Sequence, residues 1–136
     1  MGLTTAKVEL RNPRRPDLAP VTIDALADTG SDYLCIPEHV RRSLALEQAD
    51  TKRVTLADGT SRAVPYVGPL QLRFGTRTSF VGAVVIGDQP LLGAIALQDM
   101  DLVVVPQTRQ VIINPASPDI ATGSARATPR RAVNVI

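Results

Sequence analysis

Residues 27–32 read Ala-Asp-Thr-Gly-Ser-Asp and follow an apolar run that begins at Ile23. The run is typical of a strand, so the pattern predicts that Asp28 lies in a tight turn at the strand end. Gly30 permits the backbone angles of such a turn and lets a second backbone or a substrate come close. The hydroxyls on either side of Gly30 can orient the carboxylate by hydrogen bonding. The pattern indicates a chemical role for Asp28, and a plain turn is the structural alternative.

The composition predicts one mainly β domain with an aliphatic core. A chain of 136 residues is long enough to form a single core without disulfides or metal. Hydrophobic residues make up 44% of the chain but aromatic residues only 3%, and there is no Trp. Short runs of Val, Ile and Leu are separated by turn residues that include many of the 11 Pro and 9 Gly. Such punctuation favours many short strands over long helices.

The charge pattern argues against a nucleic-acid partner. The net charge of +2 is explained by arginines in the terminal regions, namely Arg14, Arg15, Arg126, Arg130 and Arg131. Proteins that bind nucleic acids usually gather Lys and Arg on one element with aromatic residues between them. No such element is visible in this sequence, so we expect no nucleic-acid partner.

The sequence also bears on compartment and cofactors. We expect no integral membrane segment, because no stretch approaches about 18 consecutive apolar residues, and the start of the chain lacks the apolar region of a signal peptide. Cys35 is the only cysteine and lies between Leu34 and Ile36, which favours a small buried hydrophobe over a reactive thiol. No residues show metal-ligand spacing. We therefore expect a cytoplasmic protein without metal or cofactor.

Local patterns predict nine extended segments and two short helices. The extended segments are predicted at 7–11, 21–27, 33–36, 53–56, 60–66, 69–74, 78–86, 102–105 and 110–113, and the helices at 38–45 and 94–100. The fourth and fifth segments form a hairpin that turns at Asp58-Gly59. Residues 1–114 are the predicted domain. A Pro-rich and basic tail spans 115–136, and its last five residues, Ala-Val-Asn-Val-Ile, have strand composition that would suit pairing with a partner chain.

Three motifs give the chain a family resemblance. Asp28-Thr29-Gly30 is the signature of aspartic peptidases, and the chain resembles the retropepsin-like branch (clan AA), in particular its single-domain bacterial-type members. The triplet Leu91-Leu92-Gly93 stands before a predicted short helix, as in that family. The hairpin at Asp58-Gly59 occupies the place of the family's flap, which closes on bound peptide. The resemblance covers residues 21–113 and implies an all-β fold, a closed or nearly closed acid-peptidase β-barrel with one or two short helices.

The resemblance also implies roles for ten residues. The expected catalytic residues are Asp28, Thr29 and Gly30, the expected substrate-binding residues are Ser31, Asp32, Asp58, Gly59 and Thr60, and the expected structural residues at the site are Leu92 and Gly93. One position departs from the pattern. Members of viral type often carry an Arg that pairs with the second aspartate of the loop, whereas this chain has Ala94. Asp32 therefore lacks that partner.

A single aspartate motif limits the possible functions. Amide hydrolysis by carboxylates needs one group to accept a proton from water and another to donate a proton to the carbonyl. Two adjacent carboxylates meet this need because they share one proton. The chain has no room for a second lobe, so either it forms a homodimer around two copies of Asp28 or it is not a peptidase. We predict a homodimeric aspartic endopeptidase that acts on peptides or proteins. The alternatives are an inactive binding or scaffold module with the same fold, and a peptidase held latent by the basic tail.

Overall fold

The computed structural model describes residues 3–129, and within this range the chain is mainly β. The strands are Thr5–Arg11 (β1), Val21–Ala27 (β2), Leu34–Ile36 (β3), Gln48–Thr55 (β4), Ser61–Phe74 (β5), Arg77–Val85 (β6), Leu91–Leu92 (β7), Leu102–Val105 (β8) and Gln110–Ile113 (β9). The helices are Glu38–Ser43 (α1) and Ala94–Asp99 (α2). The predicted all-β class with short helices is confirmed. Neither helix has the length and apolar character needed to cross a membrane.

Seven strands form one ring-like sheet. Their order is β1-β2-β7-β3-β6-β5-β4, and β1 also pairs with β5, so that six of the strands close a ring. The strand β4 extends from the ring on β5, while β8 and β9 form a separate pair. The strand β6 is central in the sheet, since it lies between β3 and β5. This closed pairing agrees with the expectation of a closed or nearly closed sheet.

The core is aliphatic and fills the inside of the ring. Along β1 the buried side chains Ala6, Val8 and Leu10 alternate with more exposed ones, which is the period of a strand with one wet face. The helix α1 contributes Val40 to this core and leaves His39 exposed. Burial of aliphatic side chains is the main source of stability for such a domain.

Two predicted strand boundaries were wrong. We expected a break between two strands at residues 67 and 68, but β5 runs without interruption across Gly68 and Pro69. A proline has no N–H to donate to a strand ladder, and the structure accommodates it with a register irregularity between Val67 and Leu70. The strand β4 begins at Gln48, five residues before the predicted start, because its polar residues pair along β5. Long-range pairing overrides the local signals at both places.

The first part of the tail is tied to the domain by Asp101. Its carboxylate accepts hydrogen bonds from the side chains of Ser117 and Asn114 and from the backbone N–H of Thr122. These hydrogen bonds hold the pKa of Asp101 at about 2. Residues 115–129 contain no helix or strand. The predicted strand at 132–136 lies outside the described residues.

Candidate active site

The Asp28 carboxylate is exposed and held in a defined orientation. The backbone N–H of Asp28 donates to the carbonyl oxygen of Leu92, 3.0 Å away, directly after the end of β2. The N–H of Gly30 donates to Oδ1 of Asp28 at 2.9 Å, and the hydroxyl of Ser31 lies 3.4 Å from Oδ2. A carboxylate accepts about four hydrogen bonds, so part of its capacity remains available for water or substrate. Of the two hydroxyls expected to orient the carboxylate, only that of Ser31 lies near it, and the N–H of Gly30 supplies the other contact. The roles of these residues in a reaction stay predictions.

The glycine of the apolar triplet lies directly against the active-site loop. The short strand β7 lies between β2 and β3, and Leu92 is fully buried there. A Cβ atom added to Gly93 would lie 2.5 Å from the carbonyl oxygen of Tyr33 and 2.7 Å from that of Asp32. Both neighbours are backbone atoms, which cannot swing away. Only glycine fits this contact without moving the loop.

The start of α2 also holds the loop. The first N–H groups of a helix have no partner within the helix. In α2 the N–H of Ala94 donates to the carbonyl oxygen of Ser31 at 2.6 Å, and that of Ile95 donates to the carbonyl oxygen of Asp32 at 3.1 Å. Ile95 was not among the predicted site residues, because no local pattern shows that its N–H reaches this loop. Two different elements therefore hold the residues that follow Asp28.

Two predicted site residues of this loop are exposed. The Asp32 carboxylate has no hydrogen-bond or ion-pair partner within residues 3–129, in keeping with the uncharged Ala94 nearby. Thr29 lies in the turn, and its hydroxyl likewise has no hydrogen-bond partner in the described part of the chain. Binding of peptide by Asp32 and a catalytic role for Thr29 stay predictions.

The predicted flap is a hairpin that projects from the ring. Its tip contains Asp58, whose Oδ1 accepts hydrogen bonds from the backbone N–H of Thr60 at 2.9 Å and from the hydroxyl of Thr60 at 2.6 Å. These hydrogen bonds lower the pKa of Asp58. Gly59 adopts a positive φ of 86°, which explains a glycine at this point of the turn. All three residues are exposed, and their contact with substrate stays a prediction.

A row of apolar side chains crosses the face of the sheet opposite the core. Residues paired across neighbouring strands project from the same face. The pairings connect Leu26 to Leu91, Leu91 to Cys35, Cys35 to Val84 and Val84 to Tyr66. Val84 is buried although it lies outside the main core cluster. This row, which the sequence did not reveal, begins two residues before Asp28 and provides an apolar floor beside it.

Cys35 lies in the middle of this row. It is half-buried, and burial raises the pKa of its thiol. A raised pKa keeps the thiol neutral and poorly nucleophilic. We expected Cys35 to be a small buried hydrophobe with an unreactive thiol. The thiol is unreactive as expected, but the side chain is only half-buried because it faces the outer side of the sheet.

A family model matches most of the chain, including the Asp28 turn. The model described as aspartyl protease matches residues 17–114. The chain therefore belongs to this aspartyl protease family, which is part of the retropepsin-like clan. No curated protein is similar enough to the chain to be matched with it. The strand β1 precedes the matched range but is part of the same sheet, since it pairs with both β2 and β5.

The described part of the chain contains no candidate metal centre. Within residues 3–129 there is no group of three or more His, Cys, Asp or Glu side chains that could hold a metal ion. An exposed carboxylate such as that of Asp28 can accept and donate protons.

Proposed function

We propose that the protein is an aspartic endopeptidase that works as a homodimer, with one Asp28 from each copy. The observation that carries this proposal is the Asp28 carboxylate, which is exposed yet oriented by the N–H of Gly30 at 2.9 Å. It lies in a chain of the aspartyl protease family. A carboxylate with a structural role alone has no need of an exposed position on a turn supported by two other elements.

The proposed reaction uses the two carboxyl groups in different protonation states. A two-fold axis beside the turn would bring both copies of Asp28 together, and close carboxylates share one proton because both cannot ionise cheaply. The ionised group accepts a proton from water, whose oxygen adds to the carbonyl carbon of the peptide bond. The protonated group donates its proton to the carbonyl oxygen. When the C–N bond breaks, the group that took the proton from water passes it to the leaving amine nitrogen. The other carboxylate takes a proton from a hydroxyl of the tetrahedral intermediate, so that the new carboxyl product forms and the pair again shares one proton.

Other residues of the site would serve this reaction without joining in proton transfer. Thr29 and Gly30 would hold the carboxylates in the symmetric interface, while Ser31 would hydrogen-bond the outer carboxylate oxygen. Asp32 would accept a hydrogen bond from the main chain of the peptide. The hairpin tip at Asp58, Gly59 and Thr60 would cover the bound peptide.

A mixing experiment tests both the residue and the dimer. Asp28→Asn protein should cleave a quenched fluorescent peptide library at least about 100-fold more slowly than wild type, since both proton-transfer groups of the dimer are lost. Adding an equal amount of Asp28→Asn protein to wild type should reduce activity to about half after subunit exchange, because mixed dimers contain only one aspartate. Unchanged activity in the mixture would mean that each chain acts alone.

Asp24→Asn is the matched control. Asp24 is another exposed carboxylate on β2, where it pairs with Lys7 at 3.1 Å. Asp24→Asn should retain activity, and adding an equal amount of it to wild type should cause no loss of activity. If wild type binds peptides but cleaves none of the library, the protein is instead a binding or scaffold module with the peptidase fold.

A further inference from the structure

An aromatic cavity continues the apolar row away from Asp28. Gly82 precedes Val84 of the row by two positions in β6, and Phe80 precedes Gly82 by two, so both lie on the face of the sheet that carries the row. Tyr33, which directly precedes β3, lies beside them. Together with Tyr66 and Ile95 they line a cavity of about 200 Å³. The cavity and the Asp28 turn therefore open on one continuous surface.

The shape of the cavity depends on Gly82. A Cβ atom added there would lie 2.2 Å from Cζ of Tyr66, so the Tyr66 ring occupies the space that any other residue would fill. The ring of Tyr33 meets the Tyr66 ring edge-on, with the centroids 6.2 Å apart. The ammonium group of Lys52 lies 4.8 Å from the centre of the Tyr66 ring. These contacts hold the two tyrosines in place and leave the space between them and Phe80 open.

Two of the lining residues are unusually exposed for their size. Phe80 is 64% exposed and Ile95 is 48% exposed. Exposed apolar side chains beside a concave surface are typical of a binding site, because a ligand that covers them removes apolar area from water. A cavity of about 150 Å³ is already large enough for a benzene ring. The Phe and Tyr walls favour edge-to-face contact with such a ring.

The spacing of the strands gives the distance of this cavity from the catalytic turn. Neighbouring strands lie about 4.8 Å apart, so β3 and β5 lie about 10 and about 19 Å from β2. An extended peptide rises about 3.3 Å per residue and covers this distance in about three to six residues. The cavity is also connected to the loop, since Tyr33 directly follows Asp32 and the N–H of Ile95 holds the carbonyl oxygen of Asp32.

We propose that this cavity binds an aromatic side chain of the peptide substrate, about three to six residues from the scissile bond. The site selects substrates that carry a ring at that distance. This proposal rests on the proposed function, because the ligand is the peptide that the Asp28 turn would cleave. Binding itself needs no cleavage.

The experiment measures binding to Asp28→Asn protein. The probes are fluorescein-labelled peptides of Ala and Ser with a central Leu-Leu pair, in which a single Phe is placed two to seven residues to either side. Fluorescence anisotropy should show affinity about tenfold higher for Phe at the preferred positions than for Ala, with Leu between them. Equal affinity for all peptides, or a preference at every position alike, would overturn the proposal.

Two variants on the Asp28→Asn background locate the effect. The double substitution Phe80→Ser and Ile95→Ser should reduce the preference for Phe to less than about twofold, since it removes the exposed apolar contact. Gly82→Ala should reduce it independently by displacing the Tyr66 ring. Ile120→Ser is the matched control, because Ile120 is 78% exposed and does not line the cavity. An unchanged preference in both cavity variants would also overturn the proposal.

The two proposals fail in different ways. If wild type cleaves peptides but the binding assay shows no preference for Phe, the cavity proposal is wrong and the proposed function stands. If wild type cleaves nothing while Asp28→Asn protein prefers Phe through the cavity, the peptidase proposal is wrong and the aromatic site belongs to a binding module.

Discussion

The turns at Asp28 and Asp58 have the same local chemistry. Each carboxylate accepts a hydrogen bond at 2.9 Å from the backbone N–H two residues later, which is Gly30 in the first turn and Thr60 in the second. Both side chains are exposed. A survey of local hydrogen bonds alone would not distinguish the candidate active site from a hairpin tip.

The surroundings of the two turns differ. The loop at Asp28 is bound by β7 through the carbonyl oxygen of Leu92, by the first two N–H groups of α2, and by close packing against Gly93. Within the described residues, the hydrogen bonds of the Asp58 turn stay inside the segment 56–60. Catalytic groups need a position fixed by independent elements, whereas a flap needs freedom to move. Tertiary support, and not the local conformation of the turn, distinguishes the candidate active site at Asp28 from the hairpin tip at Asp58.

The largest expected contrast is in activity. Asp58→Asn should change the rate of peptide cleavage by less than about threefold, while Asp28→Asn lowers it at least about 100-fold, because only Asp28 takes part in proton transfer. Initial rates on the same peptide pool measure both variants. Similar losses in the two variants would remove the functional distinction between the turns.

The second largest expected effect is a loss of folding stability when Gly93 is replaced by Ala. Gly93→Ala places a methyl group against two backbone carbonyls and should lower the free energy of unfolding by about 2–3 kcal/mol. Urea denaturation at one fixed protein concentration measures the change. Gly123→Ala is the control, since no atom lies within 4 Å of its added Cβ, and it should leave the midpoint unchanged. A Gly93→Ala protein as stable as this control would show that the loop shifts freely, contrary to the proposed support.

A smaller effect is expected at Gly59. An added Cβ meets nothing within 4 Å, so the cost of Gly59→Ala comes from the positive φ alone. That strain should lower the free energy of unfolding by about 1 kcal/mol. The same urea experiment should therefore rank Gly59→Ala between Gly123→Ala and Gly93→Ala. A larger loss of stability in Gly59→Ala than in Gly93→Ala would contradict the conclusion that the Asp28 loop has more tertiary support than the Asp58 turn.

The smallest effect is on the titration of Asp58. The side chain and the backbone N–H of Thr60 lower the pKa of Asp58 below its ordinary value of 3.8. A lowered pKa in the folded state contributes stability above pH 3.8, and this contribution is lost as the pH falls through the folded-state value. Thr60→Val should raise the pKa of Asp58 towards 3.8, as measured by NMR titration of its carboxyl carbon. The control is Thr55→Val on the same hairpin, which should leave the pKa of Asp58 unchanged.

Local features of the fold and the site were predictable from the sequence. The strands β2, β8 and β9 have the predicted bounds, because alternation and turn residues mark them directly. The hydrogen bond from Gly30 to Asp28 follows from the turn motif. The early start of β4 and the continuity of β5 were not predictable, because partner strands rather than local composition hold these residues extended.

The contacts of the site between distant segments could not be predicted from the sequence either. Ile95 lies more than sixty residues from Asp32, and nothing in the pattern shows that its N–H holds that loop. The ring of Tyr66 fills the space above Gly82, which becomes visible only when β5 and β6 pair in register. Such contacts depend on which strands become neighbours, and periodicity does not encode this choice.

The amino-acid sequence by itself determined the mainly β class, the aliphatic core and the Asp28 turn, because period-two alternation and side-chain to backbone hydrogen bonds act over a few residues. Only the tertiary structure decided that β7 enters the sheet between β2 and β3. That insertion places Gly93 and the start of α2 against the loop. The physical reason is that strand order and register are set by pairing between distant segments and by the burial of one common core.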